Sequence, residues 1–434
     1  MSINSVIPNG RVILLFLIMM VAAAGNTAMQ STLPAIASHL KIADVWVSLA
    51  FSWSALLWVV TAPKWAQLSD QRGRKLLMQV GMFGFIASML LCGTVLWLGL
   101  HAIISPVAAF ILFALFRSIY GGFGSAAPPA VQAYVAARTE RAERTKALSW
   151  LASSFGLGTV IGPAVAHFLI FEPLGLAGPL IMFAAFGIAV AIALQLRLPT
   201  DTPRFAARGA VAAYPSAASM AQPEFDDSDQ SAPDIVKHIV KLSWRDQRMW
   251  KWLVAGLIGG HAQAILLGVV GFLVRDRLGL QGQPSLAVQA IGSVMFIGAM
   301  ATLLAQWGLI PMLSMTPRTL VLAGSVLAAI GVIITGASHD FYGISMGYAI
   351  ASLGFGLFRP GFNAGASLAV RRHEQGDVAG KIASVNGGAY IVAPALGVAL
   401  YNVWAPATFI LITASLSYLV IWGWRTLADE TPDV

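Results

Sequence analysis

Charged residues make up only 11% of this 434-residue chain, against roughly a quarter in an average soluble domain. A water-soluble protein of this length needs a far more polar surface. Cysteine is nearly absent: Cys92 stands alone, which excludes a disulfide framework and a cysteine-based metal site. The His-Glu-x-x-His zinc pattern is also missing, and no metal or other cofactor is expected. Period-two alternation, the mark of a membrane barrel, does not occur.

What the chain has instead is one repeated unit, an apolar run of about twenty residues followed by a short polar loop. Twenty helical residues cover the roughly 30 Å hydrocarbon core of a bilayer. Every backbone amide there needs an internal partner, so the runs are expected to be helices. The lipid bilayer is thus the expected surroundings. The segment from Arg11 through Ala22-Ala23-Ala24 has the outline of a secretory signal. Its apolar run continues to about Pro34 and many more follow, so it reads as an uncleaved first helix.

Twelve spans are expected, at about 12–34, 45–68, 76–98, 105–135, 147–170, 175–196, 251–274, 286–309, 319–337, 342–368, 381–402 and 406–424. They divide into an N-terminal six-helix bundle (1–196), a polar linker (197–250) and a C-terminal six-helix bundle (251–434). If both termini are cytoplasmic, all but six of the 27 Lys and Arg residues fall on that side. The six are Lys41, Lys64, Arg117, Arg275, Arg277 and Arg359. The positive-inside rule therefore puts both termini in the cytoplasm. It also accounts for the pI of 9.8 without nucleic-acid binding. Short loops suit a bacterial inner membrane, and a monomer is expected.

The linker carries the acidic stretch Glu224-Phe225-Asp226-Asp227-Ser228-Asp229, which no bilayer accepts. After Pro233-Asp234, the residues Ile235, Ile239 and Leu242 recur at helical spacing beside Lys237, Lys241 and Arg245. This predicts an interfacial helix under the membrane, preceded by disorder over 203–232.

The halves share a faint repeat. Gly122-Phe123-Gly124 and Pro128 recur as Gly354-Phe355-Gly356 and Pro360, and the pair Gly156 and Pro163 recurs as Gly387 and Pro394. A same-direction repeat after an even number of spans implies two halves related by an axis along the membrane normal, with substrate bound midway between them.

After span 2 comes Ala66-Gln67-Leu68-Ser69-Asp70-Gln71-Arg72-Gly73-Arg74-Lys75. It resembles the signature loop between helices 2 and 3 of the major facilitator superfamily, with Ala66 in place of the usual first glycine. Span 4 contains Arg117-Ser118-Ile119-Tyr120-Gly121 and span 5 contains Gly158-Thr159-Val160-Ile161-Gly162-Pro163. The first is similar to that family's Arg-x-x-x-Gly pattern. The second resembles the Gly-x-x-x-Gly-Pro element of its drug/proton antiporters, although its closing glycine pair is here Ala166-His167. Gly356, Arg359, Pro360, Asn363, Gln375-Gly376 and Gly380 through Pro394 are similar to the later part of multidrug and tetracycline-type exporters. The resemblance implies a gating loop at Asp70, Gly73 and Arg74, a bending helix at Gly158, Gly162 and Pro163, and export in exchange for protons.

Ionisable groups inside a span are functional candidates by default. None of the 19 Asp and Glu falls near a span centre. The exporters commonly carry an embedded acid near the first span, where this chain has only Asn26 and Gln30, which favours a neutral or anionic substrate. Lys64 is near enough to the end of span 2 to snorkel. Arg117 and Arg359 lie deeper, and each needs a watery cavity, backbone carbonyls or an anionic ligand. The candidates for the substrate cavity are Arg117, Arg359, Asn26, Gln30, Gln263, Asn363 and Tyr390, with Asn386 beside them. Those for proton coupling are His167, His261 and Arg117, the histidines because their pKa lies in a usable range.

Two other classes were weighed. Gly343-Ile344-Ser345-Met346-Gly347, with His339 nearby, matches the Gly-x-Ser-x-Gly nucleophile pattern, but that motif needs a strand-to-helix elbow. A channel fits two unequal halves less well than a carrier does. The expected function is a proton-coupled exporter of a small amphipathic or anionic compound, with an organic-anion importer or exchanger of the same fold as the alternative.

Overall fold

The computed structural model describes residues 9–136, 138, 141–199, 242–370 and 374–428. The expected interfacial helix after Pro233, the acidic stretch and the disorder over 203–232 lie outside these residues.

Each apolar run folds as a helix. The first half comprises α1 (Asn9–His39), α2 (Asp44–Arg72), α3 (Arg74–Leu100), α4, α5 (Arg141–Ala166) and α6 (Gly178–Arg197). In α4, Pro106–Phe123 continues through the 3-10 turn Gly124–Ala126 into Ala127–Ala136. The second half comprises α7 (Trp250–Arg277), α8, α9 (Pro317–Ala337), α10 (Phe341–Leu368), α11 (Gln375–Val403) and α12 (Ala405–Thr426). In α8, Pro284–Leu303 runs through a π-helical stretch, Leu304–Leu309, into Ile310–Leu313. Among the described residues eleven helices are long and apolar enough to cross a membrane, and α5 adds the apolar stretch Ser153–Leu169.

Local chemistry sets several helix starts. Ser105 caps α4 by accepting from Ala108 N at 3.2 Å, ahead of Pro106. Thr316 caps α9 by accepting from Thr319 N at 3.3 Å, and Asp340 caps α10 by accepting from Gly343 N at 2.9 Å. Such side-chain acceptors satisfy amides that have no partner in the helix. Between α2 and α3 the chain reverses at Gly73, whose φ of 94° is costly for any residue with a Cβ.

The core is apolar, and large apolar side chains also face outward. Val107, Ile111 and Leu115, four residues apart along α4, are 62%, 62% and 60% exposed. Arg117 and Tyr120, on the other side of that helix, are buried. A helix with its apolar stripe outward and its cation inward is built for lipid.

The packing repeats after six helices. In the first half α1 packs on α5, α2 and α3 pack on α4, and α6 packs on α3. In the second, α7 packs on α11, α8 and α9 pack on α10, and α12 packs on α9. The bundles meet through α2 against α11 and α5 against α8, a pairing that maps onto itself under the same shift of six. Within the first bundle α2 is bonded to α4 at three depths. Trp53 Nε1 donates to Ser118 Oγ at 2.8 Å, Thr61 Oγ1 shares a 2.8 Å bond with Ser125 Oγ, and Trp65 Nε1 donates to Gly122 O at 2.6 Å.

Candidate functional site

A cavity of about 60 Å³ lies between the bundles. Gln30 and Pro34 of α1 and Val47, Ser48 and Phe51 of α2 line it from the first half. Gly268 and Phe272 of α7, Met295 of α8, and Tyr390 and Pro394 of α11 line it from the second. Two of the expected cavity residues, Gln30 and Tyr390, therefore face each other's bundle across this space. A water molecule needs roughly 10–15 Å³ of such volume, so there is room for about four.

The other expected cavity residues sit elsewhere. Arg117 is fully buried within the first bundle. Its Nη2 donates to Asn26 Oδ1 of α1, and its guanidinium stacks 4.5 Å from the Tyr120 ring centroid and 5.3 Å from that of Phe51. An amide oxygen and two aromatic faces thus hold a cation for which the sequence offered no carboxylate, since the negative face of a π-system attracts positive charge. Only Phe51 of this group lines the cavity. In the second bundle Arg359 Nε donates to Asn386 Oδ1 at 3.1 Å, and Asn386 Nδ2 donates to Asn363 Oδ1 at 3.3 Å. This chain joins α10 to α11 inside the bundle. Gln263 lines a smaller pocket between α7, α8 and α10, with Thr302, Tyr348 and Ser352.

Neither histidine is among the residues lining the cavity between the bundles. His261 donates from Nδ1 to Leu257 O, one turn back on α7, at 2.7 Å. His167, expected inside span 5, lies beyond the end of α5 in the one-turn 3-10 helix His167–Leu169, its ring against Phe168.

The close-packing element is explained by its neighbours. A methyl group on Gly158 would lie 2.9 Å from Ala23 Cβ, and one on Gly162 would lie 2.9 Å from the Ala24 carbonyl carbon. Both glycines let α5 press on α1. Pro163 stays within α5, and its carbonyl meets Gly292 of α8 in the other bundle. The gating-loop residue Arg74 is buried at the start of α3, beside the turn at Gly73, while the side chain of Asp70 lies outside the described residues.

One group that the sequence reading left among the loop charges is central to the interface. Arg275 of α7 reaches the first bundle, donating to both carboxylate oxygens of Asp44 at 2.9 and 2.8 Å and to Pro34 O at 3.2 Å. Asp276 accepts from Arg275 Nε at 2.7 Å and from Tyr401 Oη at 3.2 Å. Through Pro34, which lines the cavity, this network joins the bundles beside it, at the end away from the loops after α2, α4, α8 and α10.

The serine pattern Gly343-Ile344-Ser345-Met346-Gly347 lies within α10, a continuous helix from Phe341, with no strand before it. His339 accepts from Arg277 Nη1. The elbow that would expose a nucleophile is not built here.

Comparison with known proteins agrees with this architecture. The chain is 25% identical over 184 residues to the staphyloferrin B transporter of Staphylococcus aureus, covering 41% of this chain and 39% of that protein. It is 30% identical over 167 residues to multidrug resistance protein 2 of Bacillus subtilis, covering 37% of each. It thus spans about two fifths of the length of these relatives. A bacterial homologue of the human lysosomal transporter Spinster, solved in an inward-facing and unoccupied conformation, superposes with a TM-score of 0.69 at 13% identity, over 98% of both chains. That likeness concerns the fold. The family model described as Major Facilitator Superfamily matches residues 15–394. That match covers most of the chain, and the chain is a multi-pass membrane protein belonging to the Major Facilitator Superfamily.

Proposed function

We propose that the chain is a secondary active carrier that exports a small amphipathic organic molecule from the cytoplasm in exchange for protons, working as a monomer in the inner membrane. The observation that carries this reading is a cavity walled by both bundles, which the Arg275–Asp44 pair joins at one end. A site between two rigid bundles that part at one end and then the other is the arrangement used for alternating access. The Lys and Arg pattern puts both termini in the cytoplasm, so the joined end faces outward and the carrier loads from inside. The described lining residues include no Asp, Glu, Lys, Arg or His, which favours the amphipathic substrate over the organic anion.

Proteoliposomes with an imposed pH gradient test this. Saturable flux that is stimulated by substrate on the opposite side and reverses with the gradient is expected. Flux that rises linearly with concentration, or ignores the gradient, would overturn the reading. The variants His261→Gln and His167→Gln ask whether either ring carries the proton, since that variant alone would lose the response to the gradient while still exchanging substrate.

A further inference from the structure

We infer that the cavity between the bundles selects an uncharged compound with an apolar, ring-sized body and one hydrogen-bond donor, and that Gln30 and Tyr390 set this selectivity. The inference rests on the carrier reading above and adds to it the class of substrate.

Two observations carry it. The first is a pair of polar atoms left over. Gln30 Oε1 on α1 and Tyr390 Oη on α11 are both shielded from solvent and have no hydrogen-bond partner among the described residues, yet both residues line the cavity. A buried polar atom without a partner costs free energy, and a ligand that supplies one recovers it. Gln30 Oε1 can only accept, so the ligand must donate. Tyr390 Oη can donate or accept. One such atom belongs to each bundle, so a molecule bonded to both bridges the halves.

The second observation is the charge of the walls. Phe51, Leu267, Phe272 and Met295 present apolar surface, Ser48 adds a hydroxyl, and no Asp, Glu, Lys, Arg or His is among the lining residues. An ion brought here would lose its water without meeting an opposite charge, which is strongly unfavourable. At the rim, Arg275 and Asp44 satisfy one another. Arg117 stacks behind the ring of Phe51 and is not itself among the described lining residues. A cavity of roughly 150 Å³ holds benzene, more than the 60 Å³ seen here, so a ring enters only when the bundles have moved apart.

The test uses the full chain purified in detergent and three radiolabelled probes with the same two-ring aromatic body: an aryl alcohol, the corresponding arylammonium and the corresponding arylcarboxylate. Equilibrium dialysis should show the alcohol binding at least tenfold more tightly than either ion. Gln30→Leu and Tyr390→Phe should each weaken the alcohol at least fivefold, and Gln30→Leu should leave its methyl ether, which has no donor, unchanged. Tyr390→Phe is nearly isosteric, so it remains informative if Gln30→Leu fails to fold. Tighter or equal binding of an ion, no binding of any probe, or alcohol binding that neither variant weakens would overturn the inference. Counter-flow measured in parallel separates the two readings. Binding as expected without exchange would sink the carrier and spare the site, whereas exchange without this selectivity would do the reverse.

Discussion

Arg275 and Asp44, 231 residues apart in the chain, are joined across the two bundles by paired hydrogen bonds of 2.9 and 2.8 Å. Their side chains are 8% and 12% exposed, so the charges are largely out of water. Removing Arg275 from such a buried pair strands Asp44, at a cost of about 3–5 kcal/mol, and removing Asp44 breaks the link across the bundles while leaving Arg275 with Asp276. In the carrier proposed above, that cost falls on the outward-closed state alone.

Asp44→Asn and Arg275→Met should therefore move the population toward the outward-open state. The measurement is labelling of a cysteine placed at Val47, on the cavity wall, by a membrane-impermeant maleimide added from outside, in a Cys92→Ser background. Labelling should rise by at least tenfold in either variant. Unchanged labelling would show that the pair is not what holds this end shut.

Arg117→Ala removes the donor to Asn26 Oδ1 and the cation stacked on Tyr120 and Phe51. A hydrogen bond to a charged group contributes about 1.5–3 kcal/mol, which corresponds to roughly tenfold or more in the affected step. Transport should fall accordingly while membrane insertion stays intact. Arg117→Lys should recover little, because an ammonium lacks the flat face and fork that fit this pocket. Full transport in the alanine variant would remove Arg117 from the mechanism.

Gly162→Leu places a side chain against the Ala24 carbonyl at the crossing of α5 with α1. Overpacking of this kind costs about 1–3 kcal/mol, and the thermal midpoint of the purified protein should drop. Gly292→Leu acts at the facing contact with Pro163, between the bundles. It should lower transport more than stability. A drop in both by equal measure would place Gly292 in the fold rather than in the gate.

Outside the membrane, Arg248 donates to both oxygens of Asp246 and to both of Glu374 at 2.9–3.1 Å, tying the segment before α7 to the start of α11. The bond from Arg248 holds the Asp246 carboxyl below its ordinary value of 3.8. A depressed carboxylate contributes stability that is present above its unfolded value and is lost as pH falls through its folded one. Wild type should be more heat-stable than Asp246→Asn at pH 7, and the two midpoints should begin to converge near pH 3.8 and meet below the lower folded value. A constant gap across that range would mean that the carboxylate charge is irrelevant.

The spans were legible because hydrocarbon imposes a length and a composition. The expected 105–135 matches a helix ending at Ala136, and 319–337 matches Pro317–Ala337. Helix starts were less legible: α5 begins at Arg141 rather than 147, and α11 at Gln375 rather than 381. Hydropathy marks where lipid begins, and these helices project beyond it, as Lys381 shows by lying 5.6 Å from the Trp244 ring centroid. The site was legible only where polarity stands out against an apolar run. Of the residues that line the cavity, that contrast picked out Gln30 and Tyr390, but not Ser48 or Phe51. Nor does contrast report pairing. Arg117 and Asn26 are 91 residues apart, so an arginine that binds an asparagine looked the same as one that faces a cavity. Arg275 and Asp44 went unnoticed because each, at the end of a helix, read as an ordinary loop charge.

The three bonds between α2 and α4 have a mechanical consequence. Trp53, Thr61 and Trp65 pin α2 at points about 12 and 6 Å apart along its axis, at 1.5 Å per residue. A rod nailed to its frame at three heights neither rolls nor slips by itself. If the chain alternates access as proposed, a tug on Asp44 at one mouth travels about 32 Å to Trp65 near the other, and α2 is the push rod through which opening one mouth pinches the opposite one.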